Sequence, residues 1–311
     1  MKKAFNLLIA TIIAVTFAAC SDDSGNYNPY KNQVKKPFYP TTITFSNINN
    51  DGSQIDKKWE LTYNDNNTIK AYKYYYNVTA SNGVQIKEEH SGELSYHKDP
   101  SNSNYIIQNL ITTNCTITSL LKTESYCDKI TEHANIENET VQKITILGQR
   151  THSTGEEETF NNTLTFTYAD KFCTSCEQKD NTGTTTYTYN WGNGKLNNIT
   201  KYQQDNSNNI TKEDYAYTYD NNTLASDYEF NTLAFIYGNM PEIYAAMNLL
   251  GVTSAYKIES ESYSGHRYIT GNTISISPVN RSYTITEQTN TITYTSDSPS
   301  SITHKFTFSR D

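Results

Sequence analysis

Alternation with a period of two recurs along this chain, and it leaves few folds open. The stretches TTITFSN (41–47), QKITILGQ (142–149), TLTFTYAD (163–170), NTISIS (272–277), RSYTITE (281–287), TITYTS (291–296) and HKFTFS (304–309) each set Thr or another polar residue against Tyr, Ile or Phe. Successive side chains of an extended strand point to opposite faces, so this pattern builds one apolar face and one hydroxyl-rich face. An antiparallel sheet with one wetted face is the expected outcome. The 26 Tyr against 11 Phe and 3 Met point the same way, since Tyr, Thr and Ile suit a pleated, half-buried surface.

The reversals between strands have their own signature. In WELTYNDNNTIKAY (59–72) two strand-like flanks surround Asn66-Asn67-Thr68-Ile69, and a hairpin loop of this kind needs a residue with positive φ. Asn67 stands where that residue is required. Gly194 takes the place in YTYNWGNGKLNNITKY, and Asn222 in YTYDNNTLASDY. Weaker echoes are Ser91-Gly92-Glu93-Leu94 and Gly271-Asn272-Thr273-Ile274. Spacing between these units is irregular, so they predict a meander of related hairpins and no solenoid. One stretch departs from the pattern: GNMPEIYAAMNLLG, with Pro241 at a helix start and Gly251 at a stop, predicts a short helix over 241–250 that covers part of the sheet.

The Tyr-Asp-Asn-Asn-Thr-Leu run resembles the YD-type hairpin repeats of large bacterial surface proteins. The stretch from about 185 to 275, with Tyr-rich strands followed by FNTLAFIYGNMPEIYAAMNLLGVTSAY, looks like a family of uncharacterised surface lipoproteins of Bacteroidetes-type bacteria. That resemblance implies a large, strongly curved antiparallel sheet with a barrel-like outline. It carries no catalytic residue across.

The first twenty residues, MKKAFNLLIATIIAVTFAAC, combine a basic start, an apolar run and small residues before Cys20. The run from Ala4 to Ala19 is shorter than the roughly 20 residues that a membrane-spanning helix needs. Phe17-Ala18-Ala19-Cys20 resembles a bacterial lipobox, with Phe17 where Leu is usual, and implies lipidation of Cys20. Ser21, Asp22 and Asp23 look like the acidic signal that sends such lipoproteins to the outer surface. The expected organisation is therefore a signal peptide (1–19), a lipidated Cys and tether (20–40) and a single β domain (41–311). Without the signal peptide, 23 basic residues face 33 acidic ones, a balance that disfavours nucleic acid as a partner.

Chemistry-bearing motifs are scarce. Cys115, Cys127, Cys173 and Cys176 form an even set suited to an oxidising compartment, and local pairing gives Cys115–Cys127 and Cys173–Cys176 among three connectivities. A four-cysteine zinc site fits poorly, because eleven residues separate the first pair. The six histidines lack close ligand spacing. Ser119-Leu120-Leu121-Lys122 matches S-x-x-K but has no S-D-N or K-T-G partner, and Glu156-Glu157-Glu158 reads as a solvated charge run. No metal or cofactor is expected. What remains is the aromatic surplus: Trp59, Tyr74, Tyr75, Tyr76 and Trp191 are the candidate stacking residues, with an exposed Tyr beside Trp59 as the expected ligand position.

These readings converge on an all-β protein, a large curved antiparallel meander, barrel-like or open, with one short covering helix. The functional expectation is a non-catalytic lipoprotein anchored in the outer membrane and facing outward. It would bind an extracellular ligand such as a glycan, or an outer-membrane protein. The alternatives are a purely structural role and a glycoside hydrolase with dispersed carboxylates.

Overall fold

The computed structural model describes residues 41–49, 51–98, 104–170, 172–193, 195–224, 243–244, 247, 249–250, 256–269, 272–288, 291–296 and 302–309. Its first eight strands are β1 (Thr42–Asn49), β2 (Gln54–Tyr63), β3 (Ile69–Thr79), β4 (Gln85–Lys98), β5 (Tyr105–Thr118), β6 (Thr123–Glu137), β7 (Thr140–His152) and β8 (Glu157–Ala169). Then follow β9 (Phe172–Asp180), β10 (Gly183–Gly192), β11 (Lys195–Asp205), β12 (Ile210–Leu224), β13 (Tyr256–Ile269), β14 (Asn272–Gln288), β15 (Thr291–Ser296) and β16 (Ile302–Ser309). Each strand pairs antiparallel with its sequence neighbours. The meander closes because β1 pairs with β16, from Thr42 opposite Ser309 to Asn49 opposite Ile302. Closure leaves no edge strand exposed to a foreign chain.

The alternation sorts residues to the two sides of this wall. Ile43, Phe45, Trp59, Leu61, Tyr72, Tyr74, Ile107, Ala134, Ile144, Phe166, Tyr189, Ile199 and Tyr217 are buried inside and belong to one apolar cluster. On the outer side β2 presents Lys58 and Thr62, β4 presents Lys87, Glu89 and Glu93, and β5 presents Thr112, Asn114 and Thr116. Surface ion pairs such as Lys58–Glu60 and Lys212–Asp214 lie along this face. The large apolar side chains on this face include Ile48, Ile106, Leu110 and Leu147.

The barrel has an entry end, where β1 begins and the β2–β3, β4–β5, β6–β7, β8–β9 and β10–β11 turns lie, and a far end with the alternate turns. Near the entry end one clasp recurs every four strands. Tyr96 on β4 donates its hydroxyl to the carbonyl of Ile69, Tyr168 on β8 to Val141, and Tyr219 on β12 to Leu196. Each accepting residue is buried and follows a turn whose backbone has positive φ, at Asn67 (62°), Glu139 (63°) and Asn193 (53°). A register shift precedes each turn, at Thr62/Tyr63, Asn135/Ile136 and Asn190/Trp191.

Asn67 thus holds the left-handed conformation that its turn requires. At the β10–β11 turn Asn193 has the positive φ, and Gly194 lies outside the described residues. Asn222 is not in a turn: it falls within β12, where residues 220–223 are absorbed between Tyr219 and Leu224, which pair with Ile258 and Tyr256. The β6–β7 turn, Asn138-Glu139, has positive φ at both central residues, the type I′ geometry that suits a two-residue hairpin. The expected helix over 241–250 is reduced, among the described residues, to one turn at Ile243 and Tyr244, with the Met247 amide donating to the Ile243 carbonyl at 3.2 Å. This turn reaches the sheet through the Val141 amide, which donates to the carbonyl of Leu249 at 2.7 Å.

Gly92 belongs to no turn either. It sits inside β4 opposite Tyr72, whose ring lies where a side chain would stand: a Cβ on Gly92 would fall 2.2 Å from Tyr72 Cζ. Gly148 repeats the device on β7 under Phe160, at 2.0 Å. An aromatic ring laid over a strand glycine covers its backbone and permits local bending. Gly92→Ala and Gly148→Ala are expected to destabilise the fold by about 1–3 kcal/mol each, the usual range for overpacking, read as a lower denaturation midpoint at unchanged slope.

Candidate functional site

The registers place inner side chains of different strands in rows. One row runs Ile43, Trp59, Tyr74, His90, Thr113, Asp128, Arg150 and Glu158 across β1 to β8. The next row toward the far end carries Phe45, Lys57, Tyr76, Glu88, Cys115, Tyr126 and His152. Together they form a polar and aromatic wall. Arg150 Nε and Nη2 donate to Asp128 Oδ1 and Oδ2 at 2.8 and 2.7 Å, and both side chains are buried. The guanidinium carbon lies 3.8 Å from the Tyr126 ring centroid, a cation–π contact.

Tyr126 donates its hydroxyl to Glu88 Oε1 at 3.1 Å. His90 Nε2 lies 3.2 Å from Glu88 Oε2, and His90 Nδ1 lies 3.1 Å from Thr113 Oγ1. A neutral imidazole satisfies both contacts if Nε2–H donates to the carboxylate and Nδ1 accepts from the hydroxyl. Glu158 reaches both Arg150 Nη1, at 3.7 Å, and His152 Nε2, at 3.3 Å. Burial pushes the Tyr126 hydroxyl well up, and the Glu88 carboxylate adds to it. Burial also raises the neighbouring Cys115 thiol to about 12, so it stays protonated and unreactive at neutral pH.

Closer to the entry end, Asn109 Nδ2 donates to Glu132 Oε2 at 2.9 Å and to the Tyr72 hydroxyl at 3.1 Å. Tyr244, from the helical turn, donates to the same Glu132 oxygen at 3.0 Å. Burial lifts the Glu132 carboxyl above its ordinary value, although the two donors pull it down. Asn109 Oδ1 and Trp59 Nε1 are buried on this wall with no hydrogen-bond partner in the protein. A second polar cluster occupies β11 to β14. Glu213 accepts from Lys201 Nζ and from the Tyr215 hydroxyl, both at 3.0 Å, and Arg281 donates to buried Glu261 at 2.7 Å.

Of the residues singled out by sequence, Trp59 and Tyr74 stack face to face inside the barrel, with centroids 4.4 Å apart, and Tyr76 continues the stack. Tyr75 points the other way, to the outer face, where Lys58 lies 5.8 Å above its ring. The expected exposed Tyr beside Trp59 is therefore absent, because the pleat puts these two residues on opposite faces. Trp191 is half-buried, packs on Phe172 and donates Nε1 to the Cys173 carbonyl at 2.7 Å.

All four described cysteines are free. Cys115 faces inward opposite Tyr126, so Cys127, the next residue, faces outward, and the expected bridge between them is excluded by the pleat. Cys173 and Cys176 are both buried inside, brought to one face by the register shift at Thr167/Tyr168, and they too are unbridged. Cys20, Ser21, Asp22 and Asp23 lie outside the described residues. Among the described residues no cluster of His, Cys, Asp and Glu is arranged to hold a metal. Sequence reasoning missed Asp128, Arg150, Glu132 and Tyr244. The available signal was the alternation Tyr126, Asp128, Ile130, Glu132, Ala134, which puts two carboxylates on an otherwise apolar face.

Two solved structures resemble this fold. A porin-like protein from Bacteroides vulgatus ATCC 8482 superposes with a TM-score of 0.53 at 13% identity, covering 88% of this chain and 98% of that chain. A porin-like protein from Bacteroides uniformis ATCC 8492 gives 0.48 at 12% identity with the same coverage. No protein-family model and no curated protein matches the chain. At such identities the first likeness shows a shared all-β architecture.

Two outcomes test the inner wall. Asp128→Asn removes the bidentate partner of the buried Arg150 and leaves Glu158, at 3.7 Å and half exposed, as its remaining carboxylate; it is expected to cost about 3 kcal/mol in chemical denaturation, whereas Asp128→Leu combined with Arg150→Met is expected to recover most of that loss. Glu132 has a raised folded pKa, so its ionisation opposes folding as pH rises through that value. Glu132→Gln is therefore expected to be more stable than the parent at pH 7, with the advantage vanishing below the unfolded carboxyl pKa, in melting curves from pH 4 to 8.

Proposed function

We propose that the mature protein is an outer-membrane-associated lipoprotein, anchored by acylated Cys20 and facing outward, which binds an extracellular ligand without catalysis. The observation that carries this reading is the polarity of the wall: on the described outer face of β2, β4 and β5, Lys, Glu, Thr and Ser outnumber the apolar Ile106 and Leu110, whereas most buried apolar and aromatic side chains face in. Such a barrel is immersed in water and needs a separate device to reach a membrane, which is what the lipobox-like end supplies. The porin-like neighbours from Bacteroides favour an outer-membrane setting. The chain enters β1 at the entry end, so a tether at 20–40 would leave the far end free. Stacked rings together with the buried unpartnered Trp59 Nε1 and Asn109 Oδ1 suit a neutral hydroxylic ligand such as a glycan.

Expression in a Bacteroides host with labelled palmitate is expected to label the parent and not Cys20→Ala, which should partition into the soluble fraction. Protease added to intact cells should degrade the parent. The soluble chain from residue 21, applied to plant, host and bacterial glycans beside Tyr75→Ala and Tyr76→Ala, locates the ligand on the outer or inner face. Binding to no glycan would shift the reading to an assembly role with an outer-membrane protein.

A further inference from the structure

The two unpartnered atoms of the inner wall are complementary: Trp59 Nε1 is a donor and Asn109 Oδ1 an acceptor. Trp59 is 4% exposed and Asn109 0%. Leaving such a group buried and unpaired costs about 1–3 kcal/mol, so a donor and an acceptor left open in a wall of paired groups point to a ligand that satisfies both. The two residues flank one tyrosine. The Tyr72 ring lies 5.1 Å from the Trp59 ring, centroid to centroid, and the Tyr72 hydroxyl accepts from Asn109 Nδ2 at 3.1 Å. Gly92 makes this possible, because the ring lies over that glycine and carries its hydroxyl from β3 across β4 to Asn109 on β5.

Neither atom is free to turn. Stacking on Tyr74 at 4.4 Å fixes the plane of the Trp59 indole and with it the direction of its N–H. Asn109 is fixed through its other amide atom, since Nδ2 donates to Glu132 Oε2 at 2.9 Å as well as to Tyr72, and Tyr244 donates to the same Glu132 oxygen at 3.0 Å. Reversing the amide would set Oδ1 against an accepting oxygen, so Oδ1 stays turned away from Glu132. Glu132 and Tyr244 thereby position Asn109. The open pair then dictates the ligand. A carboxylate only accepts and leaves Oδ1 unsatisfied, whereas an ammonium only donates and leaves Nε1 unsatisfied. Hydroxyls do both, and the rings of Trp59 and Tyr72 offer flat faces to the C–H side of a sugar. Lys57, two residues before Trp59 on β2, and Glu132, opposite Asn109 on β6, put one basic and one acidic group at the two ends, which favours neither sign of charge.

We propose that Trp59 Nε1 and Asn109 Oδ1 form a saccharide subsite that selects uncharged sugars, with one hydroxyl accepting from Trp59 and another donating to Asn109. This inference rests on the glycan-binding reading above and narrows it to neutral sugars, against acidic and amino sugars, and to this part of the inner wall.

The test follows the indole N–H resonances of the full-length lipoprotein, isotope-labelled at tryptophan. The chain has 2 Trp, and Trp191, whose Nε1 donates to the Cys173 carbonyl, is the internal reference. Oligosaccharides of glucose, galactose and mannose are titrated beside their uronic-acid and amino-sugar counterparts. Neutral saccharide is expected to shift the Trp59 resonance and leave that of Trp191 in place, with the charged counterparts bound about tenfold more weakly, the factor set by one buried hydrogen bond. In calorimetry, Trp59→Phe keeps a stacking ring and drops the N–H, and Glu132→Gln can donate to a reversed Asn109. Each should bind neutral saccharide about tenfold more weakly than the parent. Glu132→Gln should do so while melting above the parent at pH 7, which separates positioning from loss of fold. Charged sugars bound as tightly as neutral ones, or saccharide binding that leaves the Trp59 resonance and both variants unaffected, would overturn this inference and spare the glycan reading. Binding of no saccharide would overturn both.

Discussion

Everything in this structure depends on which face of the sheet is apolar. A strand's side chains alternate strictly, so one choice of phase, repeated over the sixteen described strands, decides which face of the closed sheet is apolar. Among the described side chains the phase puts most of the buried Tyr, Ile and Phe inside and Thr, Lys and Glu outside, with Ile48, Ile106, Leu110 and Leu147 as apolar exceptions on the outer face. The all-β architecture is shared with the porin-like protein from Bacteroides vulgatus. Closure through β1 and β16 matters for the same reason: an open meander with so many Thr- and Tyr-rich strands would present two unpaired edges to other chains.

The inner face is not uniformly apolar, and the exceptions are ordered along the axis. Near the entry end buried Ile69, Val141 and Leu196 and the three tyrosine-to-carbonyl clasps close the sheet tightly, and the turn carrying Tyr244 packs against it. Toward the far end come Glu88, His90, Asp128, Arg150 and His152. The recurrence of the clasp at β4, β8 and β12 shows a four-strand structural unit that no fixed sequence period reveals, because hairpin lengths differ between units.

Strands were legible from alternation, and Asn67 from its turn chemistry. The failures have physical causes. Glycine marks turns, but it also marks places where a ring must lie on the backbone, and Gly92 is of the second kind. Asn-Asn-Thr followed by an apolar residue makes a turn at 66–69 and a strand irregularity at 221–224, because the pairing of Tyr219 and Leu224 with β13 continues past it. The turn at Asn138-Glu139 was missed because Glu rarely adopts positive φ. Cysteine pairing by proximity in sequence failed because residue parity, not separation, decides whether two side chains share a face. The buried polar wall was invisible because its members come from strands β1 to β8 and meet only through the register.

That register also explains why a fold would keep a costly ion pair inside. Asp128 stands opposite Arg150, and a slip of one residue between β6 and β7 would bring Thr151 or Gln149 opposite Asp128 and send Arg150 to the outer face. A slip of two residues keeps every side chain on its face, and neighbouring apolar residues tolerate that better, since Ile and Leu differ little in what they ask of a partner. A bidentate guanidinium–carboxylate pair, stacked on Tyr126 and reached by Glu158, accepts only one alignment. The glycine–aromatic pairs Tyr72–Gly92 and Gly148–Phe160 act in the same sense on β3/β4 and β7/β8, since a slip would press each ring against a side chain. In a meander whose strands repeat the same Thr-and-aromatic pattern, pairs of this kind supply the alignment that the pattern alone leaves degenerate.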